Sequence, residues 1–173
     1  ASRLGVSEDT ASGIEAHYEG FLADFSEHLR RQPFVLGGRP SLADFALYGV
    51  LQAVLLRDPE SGAHMRRLAP AVVAWIGRVE AARAGQGDLL PEDEIPATLL
   101  PILKRQVSEQ FPVLADSARA LEAWSAAQPS GARIKRQLGT HEFMIGGRWG
   151  QRSIFTFPLW RLQRIQDHYK AME

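Results

Sequence analysis

Ser41 and Asp44 combine a hydroxyl with a carboxylate, two groups from which a protein can build a nucleophile and its base. They stand three residues apart, directly before a long apolar run. This is the spacing of a capping box, in which Ser41 is the N-cap of a helix and the Asp44 side chain accepts the Ser41 backbone N–H. The spacing therefore predicts a structural capping role for both residues, and no catalytic residue is predicted in this chain.

The histidines do not have the spacing of metal ligands. No His-Glu-x-x-His occurs, and no histidine is followed by another ligand three or four residues later. His141 and Glu142 are adjacent in a predicted strand, where neighbouring side chains point to opposite faces and do not chelate one ion. The sequence has no cysteine, so it offers neither a thiolate ligand nor a cysteine nucleophile. We therefore predict no metal site and no cofactor within this chain.

The segment from Gly146 to Gly150 has the composition of a phosphate-binding loop. It lacks the Lys-Ser/Thr ending and the following helix that such a loop needs. Because strand-like alternation flanks it, we predict a β-hairpin with a glycine-rich turn. Arg148 and Trp149 on this turn could contact a ligand or a partner chain.

Aromatic side chains are the candidates for an apolar substrate pocket. In helical domains such residues usually belong to the core. Tyr18, Tyr48 and Trp160 are nevertheless retained as candidate pocket residues, whereas Trp75 and Trp124 are expected in the core. The basic residues of the second half are interpreted as a solvated face; they are Lys104, Arg105, Arg133, Lys135 and Arg136.

The charge balance argues against several kinds of partner. Twenty basic and twenty acidic residues give a formal net charge of zero, whereas nucleic acids and anionic membranes select a basic excess. We therefore expect neither nucleic acid nor membrane as a partner. No secretory leader is recognisable, which favours a cytoplasmic protein. The longest apolar stretch, Leu42 to Leu56, is too short and too polar to span a bilayer.

Helical periodicity dominates the first half of the chain. It predicts an amphipathic helix from Ile14 to about Gln32, where Pro33 disfavours helical geometry in the preceding residue. The helix after Ser41 is apolar nearly all round, which predicts neighbours on every side. Pro70 opens another helix.

The second half combines helices with a hairpin. Two helices are expected after Thr98, with a break or kink at Pro112, and a last helix opens at Pro158. The whole is a mainly α fold with a C-terminal α+β extension. We divide it into an entry segment (1–13), a helical domain (14–83), a linker (84–97) and the extension (98–173).

The run from Gly37 to Phe45, Gly-Gly-Arg-Pro-Ser-Leu-Ala-Asp-Phe, resembles the N-capping motif of the glutathione S-transferase superfamily. In that family the motif opens the central buried helix of the C-terminal all-helical domain. The flanking elements agree over about residues 14–82: an amphipathic helix before the motif, an apolar helix after it, and a Pro-started helix with Trp75. Pro40 stands where the family more often has an aliphatic residue.

The resemblance implies a partner domain. In the family, glutathione and the residue that activates its thiol belong to an N-terminal thioredoxin-like domain, which residues 1–173 do not contain. The expected cofactor of the full-length protein is therefore glutathione, and the expected partners are that missing domain and a second copy in a homodimer. The entry segment is interpreted as the truncated end of a missing helix. The alternative is a non-catalytic protein–protein interaction module of the same fold.

Overall fold

The computed structural model describes residues 3–172, apart from the side chain of Asp93. These residues divide into two compact units. The helical unit is Tyr18–Lys104, and the hairpin unit combines the residues up to His17 with those from Arg105 onward. Most of the chain is helical, and one two-stranded antiparallel sheet lies in the second half, so the predicted fold class is confirmed. Within the described part, no helix is both long enough and apolar enough to cross a membrane.

The helical unit is built around buried aromatic and aliphatic side chains. Phe25 of α1 meets the edge of the Trp75 ring at a centroid distance of 5.1 Å, and both are fully buried. Leu99 and Ile102 join the same core. The elements are α1 (Glu8–Leu29), α2 (Leu42–Val50) continued by a π-helix (Leu51–Leu56), α3 (Pro59–Leu68), α4 (Pro70–Ala81), 3₁₀ turns at Pro91–Asp93 and Ala97–Leu99, and α5 (Leu100–Arg105).

Helix α1 begins at Glu8, well before Ile14, so the predicted entry segment is helical over much of its length. Its first turn is held by Thr10, whose hydroxyl accepts the Ser7 N–H and donates to the Gly5 carbonyl. Thr10 and Gly13 are buried because they face the hairpin closely. Small and polar residues at a close contact carry no apolar periodicity, so periodicity alone predicts a later start for this helix.

The predicted linker 84–97 is tied to the loop before α2. Gly38 donates its N–H to the Asp88 carbonyl at 2.7 Å, and Leu90 donates to the Leu36 carbonyl at 2.9 Å. Gly37, with φ of +120°, makes this pairing possible because a Cβ there would press on the Asp88 carbonyl. The segment therefore packs within the helical unit.

The hairpin unit places α6 against both strands and the last helix. The turn contains only Gly146 and Gly147, with φ of 54° and 76°, and Ile145 pairs with Arg148. The predicted loop is thus shorter, since Arg148, Trp149 and Gly150 already belong to the second strand. The elements are a π-helix (Gln106–Gln110), α6 (Phe111–Ala126), β1 (Gln137–Ile145), β2 (Arg148–Phe155) and α7 (Phe157–Lys170).

Pro112 does not break the helix. The π-helix Gln106–Gln110 leads directly into α6, and Pro112 occupies its first turn. Proline lacks an N–H and clashes with the carbonyl one turn earlier. The wider π-turn accommodates both defects, so the chain stays helical through Pro112 and the predicted alternative of a break does not occur.

Candidate functional site

The Asp44 carboxylate is the polar centre of the helical unit. It is 0% exposed and accepts four hydrogen bonds. Its Oδ1 accepts the Val35 backbone N–H at 2.9 Å and the Trp75 Nε1–H at 3.0 Å. Its Oδ2 accepts the N–H and the hydroxyl of Ser41, each at 2.8 Å. Both carboxylate oxygens are occupied by protein donors, so Asp44 has no free lone pair directed at a substrate.

The capping box connects the start of α2 with the rest of the helical unit. Ser41 has extended backbone geometry and precedes α2, and Asp44 stands at the third helical position, as in the predicted box. The bond to Trp75 connects the start of α2 with α4, and the bond to Val35 connects it with the loop that follows α1. One carboxylate thus joins three segments of the helical unit.

His28 is a second buried polar group of the same unit. Its Nε2 lies 3.2 Å from the Phe34 carbonyl oxygen, which can only accept, so Nε2 carries the proton and Nδ1 accepts the Thr98 hydroxyl at 2.8 Å. Burial lowers the pKa of His28, because desolvation disfavours the imidazolium. This effect is larger than the opposite effect of the hydrogen bond to the Phe34 carbonyl, which raises the pKa. This neutral ring links α1 to the segment before α5.

His17, His64 and His141 each lie against one carboxylate, and His64 also contacts the Arg67 guanidinium at 2.9 Å. His17 Nδ1 lies 2.5 Å from Glu109 Oε2, and Glu109 Oε1 accepts the Gly146 N–H at 3.0 Å. His64 meets Glu19 at 2.7 Å, and His141 meets Asp116 at 3.2 Å while the neighbouring Glu142 is exposed. Among residues 3–172, no group of three His, Asp or Glu side chains is arranged to hold a metal ion.

The three candidate pocket residues are divided between the two units, with Tyr18 and Tyr48 in the helical unit. The Tyr18 hydroxyl donates to the Ser61 carbonyl at 3.3 Å, and the Tyr48 hydroxyl donates to the Glu80 carboxylate at 2.9 Å. The pKa of Tyr18 is raised by burial, and that of Tyr48 is raised chiefly by its bond to Glu80. Both tyrosines pack at the margin of the core of the helical unit. Trp160 belongs to α7 in the hairpin unit.

One face of α2 is exposed and entirely apolar. Leu42 is 85% exposed, and Phe45, Val50 and Val54 are more than half exposed. Ala46, Gly49 and Ala53 complete this surface, called the α2 face here although Ala53 and Val54 belong to the π-helix that continues α2. The prediction that this helix has neighbours on every side therefore does not hold within residues 3–172. A cleft of about 530 Å³ borders the same surface and is lined in part by Leu42, Phe45 and Leu89.

The hairpin unit contains a larger cleft, of about 730 Å³. Trp160 lines it together with Phe155 and Phe157, and two cationic residues, Arg3 and Arg136, lie on its wall. The sequence predicts Arg136 on a solvated face and gives no reason to single out Arg3. The one sequence pattern that indicates this cleft is the basic pair Lys135-Arg136, which comes shortly before the aromatic residues of β2 and α7.

The comparison with protein families agrees with the motif and its setting. Residues 8–78 match the family model for the glutathione S-transferase C-terminal domain. This range contains α1, the capping box, α2, α3 and most of α4, so this part of the chain is a C-terminal helical domain of the glutathione S-transferase superfamily. The match ends before the hairpin. Comparisons with curated proteins and with solved structures gave no match for the chain.

Proposed function

We propose that this chain is the helical half of a glutathione S-transferase-like enzyme, and that glutathione is bound by a thioredoxin-like domain outside these residues. The family match over residues 8–78 supports the fold part of this proposal. The observation that carries the rest is the bare α2 face, which consists of Leu42, Phe45, Ala46, Gly49, Val50, Ala53 and Val54.

The α2 face has the character of an internal surface. It follows helical spacing from Leu42 to Val54 and contains no polar or charged side chain. Contiguous apolar patches on proteins mark interfaces, because leaving them in water costs free energy that a partner surface recovers. The proposed occupant is the remainder of the enzyme: the helix that precedes α1 in the family, together with the glutathione-binding domain.

The chemistry proposed for the complete enzyme is attack of a glutathione thiolate on an electrophile. The thiolate is the nucleophile, so the activating residue must hold the deprotonated sulfur. Tyr18 and Tyr48 do not fit that role, because their hydroxyls already donate to Ser61 and Glu80. The helical half contributes apolar surface for the electrophile and for the contact with a second copy in a homodimer.

A protection experiment tests the occupant of the α2 face. The chain contains no cysteine, so Ala46→Cys introduces one thiol on the α2 face and Ala63→Cys introduces one on the exposed side of α3. In this chain alone, both thiols should react with a maleimide. In the product of the reading frame extended upstream of Ala1, Ala46→Cys should be protected and Ala63→Cys should not.

Turnover separates the two candidate functions. The chain alone should give no conjugation of glutathione to 1-chloro-2,4-dinitrobenzene and no retention on immobilised glutathione, whereas the extended product should give both. Equal reactivity of Ala46→Cys in the two proteins would refute the proposed interface. Protection without turnover would replace the enzyme by the non-catalytic interaction module. Sedimentation of the extended product tests the homodimer.

A further inference from the structure

The cleft of about 730 Å³ in the hairpin unit combines aromatic rings with positive charge. Phe155 at the end of β2 and Phe157 and Trp160 at the start of α7 supply the rings. Arg3 and Arg136 supply the charge, and none of the described residues that line the cleft is acidic. Its size falls within the roughly 300–1,000 Å³ that small-molecule sites occupy.

Backbone hydrogen bonds hold the two arginines beside the rings. The Ser153 N–H of β2 donates to the Arg3 carbonyl at 3.0 Å. The Thr156 hydroxyl donates to the Lys135 carbonyl at 2.9 Å, and the Thr156 N–H donates to the Arg136 carbonyl at 3.3 Å. The Arg3 segment is therefore anchored to β2 and the Lys135-Arg136 segment to Thr156 directly after it, so both lie beside Phe155.

Phe157 and Trp160 form a partly exposed aromatic platform. Phe157 and Trp160 stack at a centroid distance of 5.6 Å with an interplanar angle of 29°. They remain 62% and 50% exposed. Large aromatic side chains gain free energy when a flat apolar partner covers them. The Arg164 guanidinium lies 5.3 Å from the Trp160 ring centre and adds positive charge to this platform.

We propose that this cleft binds a small aromatic anion, an aryl carboxylate or aryl sulfonate. The aromatic part stacks on Trp160 and Phe157, and the anionic group pairs with Arg136 and Arg3, whose planar guanidinium groups match carboxylate and sulfonate geometry. An anionic ligand is favoured over a neutral or cationic one, because the wall of the cleft carries cationic residues and no acidic residue among those described. The site lies outside residues 8–78, so it does not depend on the proposed transferase function.

Two probes of one shape measure the contribution of charge. Isothermal titration of the whole chain with 2-naphthoate and with neutral 2-naphthamide should give 1:1 binding of the anion and about five- to tenfold weaker binding of the amide. Arg136→Gln and Arg3→Gln should each weaken 2-naphthoate about two- to fivefold, a small effect because these side chains are exposed. Neither change should alter 2-naphthamide binding.

Matched variants locate the site. Trp160→Ala should weaken both probes about tenfold, since stacking does not depend on the ligand charge. Arg161→Gln on α7 and Trp149→Ala on β2 remove the same residue types from exposed positions outside the cleft, and they should leave both affinities unchanged.

Several results would overturn the proposal. These are equal affinity for the two probes, equal losses in the control variants, and no 1:1 binding of 2-naphthoate up to its solubility limit. If Trp160→Ala does not fold, the two arginine variants still test the proposal: Arg136→Gln and Arg3→Gln must weaken the binding of 2-naphthoate and leave the binding of 2-naphthamide unchanged. If a second copy of the chain covers the platform, sedimentation will show a dimer that Trp160→Ala dissociates, and 2-naphthoate will not bind.

Discussion

Replacing Asp44 with alanine should be the most damaging polar substitution in the helical unit. It removes the acceptor of four hydrogen bonds at a position with 0% exposure. A buried donor left without an acceptor costs about 1–3 kcal/mol. The Val35 N–H and the Trp75 Nε1–H are the two buried donors left without one, so we expect a loss of about 2–6 kcal/mol. That is a large part of the roughly 5–15 kcal/mol by which a domain is stable.

The companion substitution Ser41→Ala should cost less. It removes one donor to Asp44 and leaves the carboxylate with three, so the expected loss is that of an N-cap, about 0.5–2 kcal/mol. When Asp44 is already replaced, the Ser41 hydroxyl no longer has this acceptor, so removing the hydroxyl costs less. The double variant should therefore lose less free energy of unfolding than the sum of the losses of the two single variants.

Urea unfolding of the wild type, both single variants and the double variant measures this coupling, provided that the m-values agree. Asp58 provides the matched control, because it caps α3 by accepting the N–H groups of Glu60 and Ser61 at an exposed position. Asp58→Ala should destabilise clearly less than Asp44→Ala. Strictly additive losses in the cycle, or equal losses for the two aspartates, would refute the assignment of Asp44 as the buried junction of three segments.

Two further predictions concern pH and packing. The pKa of His28 is lowered by burial, so between that pKa and the ordinary value of 6.5 the unfolded chain binds more protons than the folded one. The contribution of neutral His28 to the free energy of unfolding should be fully present above about pH 6.5 and should decrease as the pH falls through this window. Melting temperatures measured across this range should fall less steeply for His28→Gln than for the wild type. The control variant His168→Gln, at an exposed position, should show the same fall as the wild type. Gly13→Ala should lower the melting temperature, because the added methyl group would overlap the Ile145 carbonyl oxygen. Gly77→Ala in α4 is the control: its methyl group meets open space, so it should stabilise the protein by up to about 1 kcal/mol. A neutral Gly13→Ala, or a pH profile unaffected by His28→Gln, would contradict the packing and the burial described here.

Local rules explain what could be foreseen. The capping box follows from residues three positions apart, because the side chain of the third helical residue reaches back to the N-cap within one helical turn. The hairpin follows from the glycine-rich segment Gly146 to Gly150 between alternating strands, although the turn itself takes only Gly146 and Gly147, both with positive φ. Each of these patterns involves only a few neighbouring residues, so it can be recognised from the sequence without knowledge of the tertiary contacts.

The candidate site depended on contacts between distant residues. Asp44 was predicted as a cap, but its bonds to Val35 and Trp75 arise only when α2, α4 and the preceding loop pack together. Arg3 and Arg136 are far apart in the sequence, and hydrogen bonds to Ser153 of β2 and to Thr156 directly after it bring both to one cleft. No periodicity in the sequence connects such pairs, because hydrogen bonds to a third, distant segment set their positions.

The sequence by itself determined the helical class of the chain, its capping motif and its hairpin, because propensity, capping and turn geometry act within a few residues. Only the tertiary structure decided where α1 begins and which side of α2 is covered. Glycine and threonine at a close contact give no apolar signal, and an apolar helix has the same sequence whether a partner covers its second face or leaves it exposed. Burial is a property of the packed neighbours, and those neighbours come from distant parts of the chain or from another domain.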